Sequence, residues 1–187
     1  MSDVTDRVRR MVETTGAHIH FDEPVKLASG NTSRDFIDGK LAVSEPEHLA
    51  LVGEAMLAAA NDAGVSFEAV GGLVLGSVPY TFAVAQAARC RWFLVRKEPK
   101  GRGTNQYVEG ARLHEGMPVM LVDDVVTTGG SIQQAYEHLV AQGAVVVFAS
   151  TLIDRSDVAT EFFASKGVPY HPLLTYRDLG IEPVGSS

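Results

Sequence analysis

Two adjacent aspartates, Asp123 and Asp124, separate an apolar stretch from a run of threonines and glycines: Met120-Leu121-Val122-Asp123-Asp124-Val125-Val126-Thr127-Thr128-Gly129-Gly130-Ser131. Nothing in Pro118–Val122 needs water, which predicts a buried parallel strand ending at the acid pair. The periodic segment Ser131–Ala141 predicts a helix. Small residues between strand and helix let backbone N–H groups converge, and a helix N-terminus adds positive partial charge there. Val125–Ser131 therefore reads as a phosphate cradle. Ionised carboxylates only accept hydrogen bonds, so Asp123 and Asp124 suit sugar hydroxyls or a hydrated divalent cation rather than a phosphate. Together they point to a phosphorylated sugar held at both ends; the plainer alternative is a strand–turn–helix with a polar tip.

Other segments carry chemistry of their own. Arg96, Lys97, Lys100 and Arg102 place four cations within seven residues of a glycine-bearing stretch after a predicted strand. Such a basic loop can close over a pyrophosphate and exclude water, or be an ordinary solvated loop. Gly71-Gly72-Leu73-Val74-Leu75-Gly76-Ser77 spaces its glycines like a P-loop, but no Lys-Ser/Thr follows Gly76 and that reading is rejected. Asp154-Arg155 ends an apolar strand; a planar guanidinium there can grip a carboxylate, or pair with Asp154 at the surface. His18, His20, His48, His114, His138 and His171 show no metal-ligand spacing and read as structural or exposed.

The run Val122–Ser131 resembles the signature of type I phosphoribosyltransferases, which use 5-phospho-α-D-ribosyl 1-pyrophosphate (PRPP). Within that family, Arg96-Lys97-Glu98-x-Lys100 with Gly103 and Glu109-Gly110 is similar to the loop of orotate phosphoribosyltransferases, although Arg102 stands where the pattern has histidine. Ser29-Gly30-x-x-Ser33-x-x-Phe36 resembles the same family's hood segment, with Ala28 where many members have lysine. Gly76 likewise replaces a lysine in the pyrophosphate turn. The resemblance implies that Asp123 and Asp124 face the ribose and that Val125, Val126, Thr127, Thr128, Gly129, Gly130 and Ser131 wrap the 5′-phosphate. It implies that Arg96, Lys97, Lys100 and Arg102 meet the pyrophosphate, with Lys100, Asp123 and Asp124 as the catalytic groups. Thr127, Arg155 and Phe36 would meet orotate, with Phe36 alternatively plain core packing. It further implies Mg2+ carried by PRPP, with Asp123 and Asp124 in indirect contact and no certain protein metal site, and a homodimer with shared active sites. The implied reaction joins orotate and PRPP into orotidine 5′-monophosphate (OMP) and pyrophosphate, a step of pyrimidine synthesis. Transfer to another base and a non-catalytic PRPP-sensing regulator are the rival readings.

These residues need a scaffold. A chain of 187 residues with 45% hydrophobic and 21% charged residues reads as one domain with one substantial core. The net charge of −7 disfavours a nucleic-acid partner, and no stretch approaches a membrane span. The single Cys90 excludes an internal disulfide and suits a reducing cytoplasm. Apolar periodicity and turn residues predict helices at Asp3–Thr15, Glu47–Ala63, Pro79–Ala88, Ser131–Ala141 and Val158–Lys166. Strands are predicted at Ala17–Phe21, Asp35–Asp38, Ala69–Leu75, Arg91–Val95, Val119–Val122, Val145–Leu152 and Tyr170–Leu173. This alternation predicts an α/β fold, with a central parallel sheet flanked by helices. The family resemblance adds a small N-terminal hood, about residues 1–45, over a core of about 46–187.

Overall fold

A computed structural model describes residues 2–27, 30–99 and 107–185. Helix α1 (Ser2–Thr14) leads into an antiparallel hairpin, β1 (His18–Lys26) and β2 (Thr32–Ile37), and the short α2 (Gly39–Ala42). Then follow α3 (Pro46–Asp62), β3 (Ala69–Leu73), α4 (Val78–Ala88), β4 (Arg91–Val95), β5 (Val108–Gly110), β6 (Pro118–Val126), α5 (Gly130–Ala141), β7 (Val145–Asp154), α6 (Val158–Ser165) and β8 (Tyr170–Thr175).

The main sheet has the order β5-β4-β3-β6-β7-β8. All its pairings are parallel except that of β5, an antiparallel edge piece on β4. Three residues are too few for a hydrophobic period, so β5 escaped the sequence reading and the sheet is mixed rather than wholly parallel. Successive residues of β6 serve opposite faces. Met120 and Val122 join a cluster with Val8, Val52, Met56 and Tyr80 from α1, α3 and α4. Val119 and Leu121 join the other cluster, with Ile132, Leu139 and Phe163 from α5 and α6. Coverage on both faces explains why the strand reads as an unbroken apolar run.

Strand order reverses between β3 and β6: the chain runs outward from β3 through β4, then returns to build β6, β7 and β8 on the other side. Such a switch point leaves a crevice at the carboxyl ends of the two strands. β6 also outruns its sequence prediction. The ladder to β7 continues through Asp123↔Thr151 to Val126↔Asp154, whereas the last β3 pairing is Gly71↔Leu121. The acid pair therefore lies inside a strand rather than after it, because β7 keeps supplying hydrogen-bond partners where β3 stops. β1 likewise runs through Pro24, past the expected end at Phe21. Its register shifts between His20 and Val25, and a two-stranded edge tolerates the missing N–H.

Helices α3 and α4 cross closely at Gly53, where an added Cβ would lie 2.6 Å from the Ala83 carbonyl oxygen. Alanine ordinarily favours a helix over glycine by about 1 kcal/mol. Here overpacking against backbone costs ~1–3 kcal/mol and wins. Gly53→Ala is expected to lower the melting temperature by a few degrees; an unchanged or raised value in thermal denaturation would contradict this packing.

Candidate active site

The crevice between the ends of β3 and β6 opens into a cavity of about 690 Å³. Its walls are the hairpin (Leu27, Phe36, Ile37), Lys40 of α2, residues 73–76, Lys97, the continuous segment 123–132, Gln134 and Arg155. The structure thus gathers Asp123, Asp124, Val125 to Ser131, Lys97, Phe36 and Arg155 around one space. Arg96 is the exception. Its Nη1 donates to Glu109 Oε1 at 3.0 Å and its backbone N–H to the Tyr107 carbonyl at 2.8 Å, and it does not line the cavity. The positions assigned to Lys100 and Arg102, and the departure at Ala28, lie outside the described residues.

Asp123 is 5% exposed and its Oδ1 accepts from the Asp124 N–H at 3.0 Å. Burial raises its pKa well above the ordinary carboxylate value, and the neighbouring Asp124 charge raises it further, against a smaller pull from Lys97. Asp124 is held from several sides. Its Oδ1 accepts from the Val125 N–H at 2.7 Å, and its carbonyl accepts from Thr151 Oγ1 at 2.8 Å. Its carboxylate lies against Gly76, where a Cβ would sit 2.5 Å from Oδ1. Gly76 is thus required by close approach of the carboxylate, a use separate from the loss of a turn lysine. Nearby, the Tyr80 hydroxyl donates to the Gly39 carbonyl at 2.6 Å. Burial, then the charges of Asp124, Asp123 and Asp38, hold that phenol well above its usual pKa.

Residues 127–131 carry the chain from β6 into α5. Gly129 is the N-cap, with φ +74° and no side chain capping the helix. Among the described residues, the first N–H groups of α5 have no side-chain acceptor at the cavity wall, the arrangement that binds an anion. Gln134, one turn on, donates from Nε2 to the Lys97 carbonyl at 3.1 Å and so ties the start of the basic segment to the same helix.

Arg155 also lines the cavity, its backbone N–H donating to the Val126 carbonyl at 2.8 Å, and it is 1% exposed. Its Nη1 donates to the Asp35 carbonyl at 2.6 Å and its Nη2 to Ser33 Oγ at 3.0 Å, while among the described residues Nε has no partner. The surface pair with Asp154 does not form. Asp154 is itself buried, accepting from Tyr170 Oη at 3.0 Å and from the Ser156 N–H at 3.0 Å. Phe36, at 39% exposure on the cavity wall, is available to a ligand and is not a core residue.

The sequence profile of the phosphoribosyl transferase domain matches residues 43–161. The chain belongs to the phosphoribosyl transferase domain family. It is 39% identical over 166 residues to an orotate phosphoribosyltransferase of Rhodopirellula baltica, covering 84% of this chain and 86% of that one. It is 40% identical over 161 residues to an orotate phosphoribosyltransferase of Methanocaldococcus jannaschii, covering 86% and 89%. Among solved structures, it superposes with a TM-score of 0.76 on Mycobacterium tuberculosis orotate phosphoribosyltransferase in complex with PRPP. That match has 28% identity and covers 95% of this chain and 99% of that one.

Sequence reasoning missed two members of this phosphoribosyltransferase cavity, Lys40 and Gln134, and the buried Tyr80 beside the acid pair. Lys40 Nζ lies 4.0 Å from Asp124 Oδ2. It is placed there because Asp38 Oδ1 caps α2, accepting from the Lys40 and Leu41 N–H groups at 3.1 Å. The Asp38-Gly39 turn chemistry was a usable signal for that cap. Gln134 and Tyr80 gave none, since their contacts join segments distant in the sequence.

The raised Asp123 pKa has a consequence for stability. A carboxyl that holds its proton more firmly when folded stabilises the protein below the ordinary pKa of 3.8, and that contribution is lost as pH rises through the folded value. Without ligand, Asp123→Asn is expected to melt at least ~2 °C above the parent at pH 7, the shift that about 1 kcal/mol produces at this size. The gap should close as pH falls toward 4. A variant less stable than the parent at pH 7 in differential scanning fluorimetry would contradict the electrostatic account.

Proposed function

We propose that this protein transfers the 5-phosphoribosyl group of PRPP to orotate, giving OMP and pyrophosphate in pyrimidine synthesis. The observation that carries the choice of base is Arg155. A guanidinium 1% exposed donates to a carbonyl and a hydroxyl; among the described residues its Nε is unpartnered and no carboxylate hydrogen-bonds it, the Asp35 charge acting only at longer range. Buried charges are costly unless paired. A planar carboxylate on the base completes this site, and Phe36 offers a flat apolar face beside it. The names of the relatives above support the same base.

The remaining roles follow from chemistry. Asp123 and Asp124 accept from the ribose hydroxyls and place negative charge near the ring as it becomes cationic during displacement at C1. Thr127 to Ser131, with Val125 and Val126 leading into the turn, hold the 5′-phosphate, and Thr127 also borders the base. Lys97, with Lys100, Arg102 and Arg96 assigned from the sequence resemblance, neutralises the departing pyrophosphate. We assign Lys100 to the neighbouring subunit's site in a homodimer, while Lys97 lines its own cavity. Positioning and preorganised charge thus supply most of the catalysis.

The donor set fits a magnesium ion that arrives with the substrate. Among the described residues no three His, Cys, Asp or Glu side chains form a metal cage. Two adjacent carboxylates beside a phosphate turn suit an ion that keeps most of its water and is held mainly by phosphate oxygens. Asp123 and Asp124 would hold it through water, and its chemistry there is charge neutralisation on the pyrophosphate. We place the enzyme in the cytoplasm, supported by its single cysteine and by the reaction, and read the hairpin as the hood of one catalytic domain.

With PRPP and magnesium, orotate absorbance is expected to fall, while uracil, hypoxanthine and adenine are not consumed; consumption of a purine in place of orotate would overturn the base assignment. Asp124→Asn is expected to lower kcat more than tenfold, since one transition-state interaction is typically ~2–4 kcal/mol. An unchanged kcat would remove Asp124 from the mechanism.

A further inference from the structure

The groups that hold Arg155 lie on a hairpin 120 positions earlier in the chain. Ser33 Oγ accepts from Arg155 Nη2 at 3.0 Å and from the Asp35 N–H at 3.0 Å, so one hydroxyl links hood backbone to guanidinium. The Asp35 carbonyl takes Nη1 at 2.6 Å. Asp35 is fixed in turn from β1: its Oδ1 accepts from His18 Nε2 at 2.8 Å and His20 Nδ1 at 2.9 Å. Burial pushes the Asp35 carboxyl up, but the hydrogen bonds from His20 and His18 and their charges carry it below its ordinary value. It therefore stays ionised across the neutral range and keeps both histidines.

Two contacts on the two terminal nitrogens arrest rotation of the guanidinium plane before any substrate arrives. Bidentate capture of a carboxylate depends on that plane, and ordering the fork beforehand removes an entropic cost of binding. We propose that Ser33, backed by Asp35, His18 and His20, is a specificity-determining positioning residue. It sets the plane of Arg155 against the carboxylate of the base. The inference rests on the orotate reading. Without the Ser33 hydroxyl, Arg155 pivots on Nη1 alone and Nη2 loses its partner.

The test compares OMP with uridine 5′-monophosphate (UMP), which lacks only the base carboxylate, in calorimetric titrations of the full chain. Ser33→Ala is expected to weaken OMP binding about tenfold, the scale of one charged hydrogen bond. UMP affinity should stay within about twofold, and Ser33→Thr should recover OMP affinity, as retention of the hydroxyl requires. Equal losses for both nucleotides, or no loss for OMP, would overturn the positioning role. Equal affinities of the parent protein for OMP and UMP would overturn the orotate reading itself, before any variant is made.

Discussion

Two carboxylates side by side at the end of a buried strand are the constraint around which this molecule is arranged. Adjacent like charges in low dielectric repel, and burial adds a desolvation penalty, so Asp123 is held far from its ordinary protonation behaviour. The protein tolerates the pair only through particular neighbours. The ladder to β7 fixes the backbone, Gly76 leaves room for the Asp124 carboxylate, and Lys97 and Lys40 bring positive charge to the same cavity. A folded state that keeps such a pair retains free energy that a ligand rich in hydroxyls and cations can release.

The fold places that pair where a ligand can use it. Reversal of strand order between β3 and β6 opens the crevice, and the extra length of β6 pushes both aspartates into it. α5 begins a few residues later, its first N–H groups uncapped by any side chain among the described residues, so acid pair and helix N-terminus are fixed by one continuous strand–turn–helix. The hairpin lines the same cavity through Leu27, Phe36 and Ile37. Its attachment to Arg155 makes that side of the cavity depend on a contact across most of the chain.

Chemistry confined to one stretch was legible in the sequence. Asp123 to Ser131 announce themselves by residue type and spacing, and the five longer helices and the interior strands of the sheet followed from apolar periodicity with ends a few residues off, while the four-residue α2 did not. What was not legible depends on pairing between distant segments. The extension of β6 comes from β7, the short β5 exists only as an edge on β4, and Arg96 turns to Glu109. The same holds for Arg155: the family resemblance implied a carboxylate ligand for it, with a surface pair to Asp154 as the alternative, whereas its burial and its grip on Ser33 and Asp35 are tertiary facts.

A crystal structure with OMP bound tests the central claim most directly, because that one molecule carries a 5′-phosphate, ribose hydroxyls and a base carboxylate. The account predicts the phosphate in the turn at 127–131, the hydroxyls within about 3 Å of the Asp123 and Asp124 carboxylates, and the base carboxylate on Arg155. OMP seated with its ribose away from the two aspartates would contradict it.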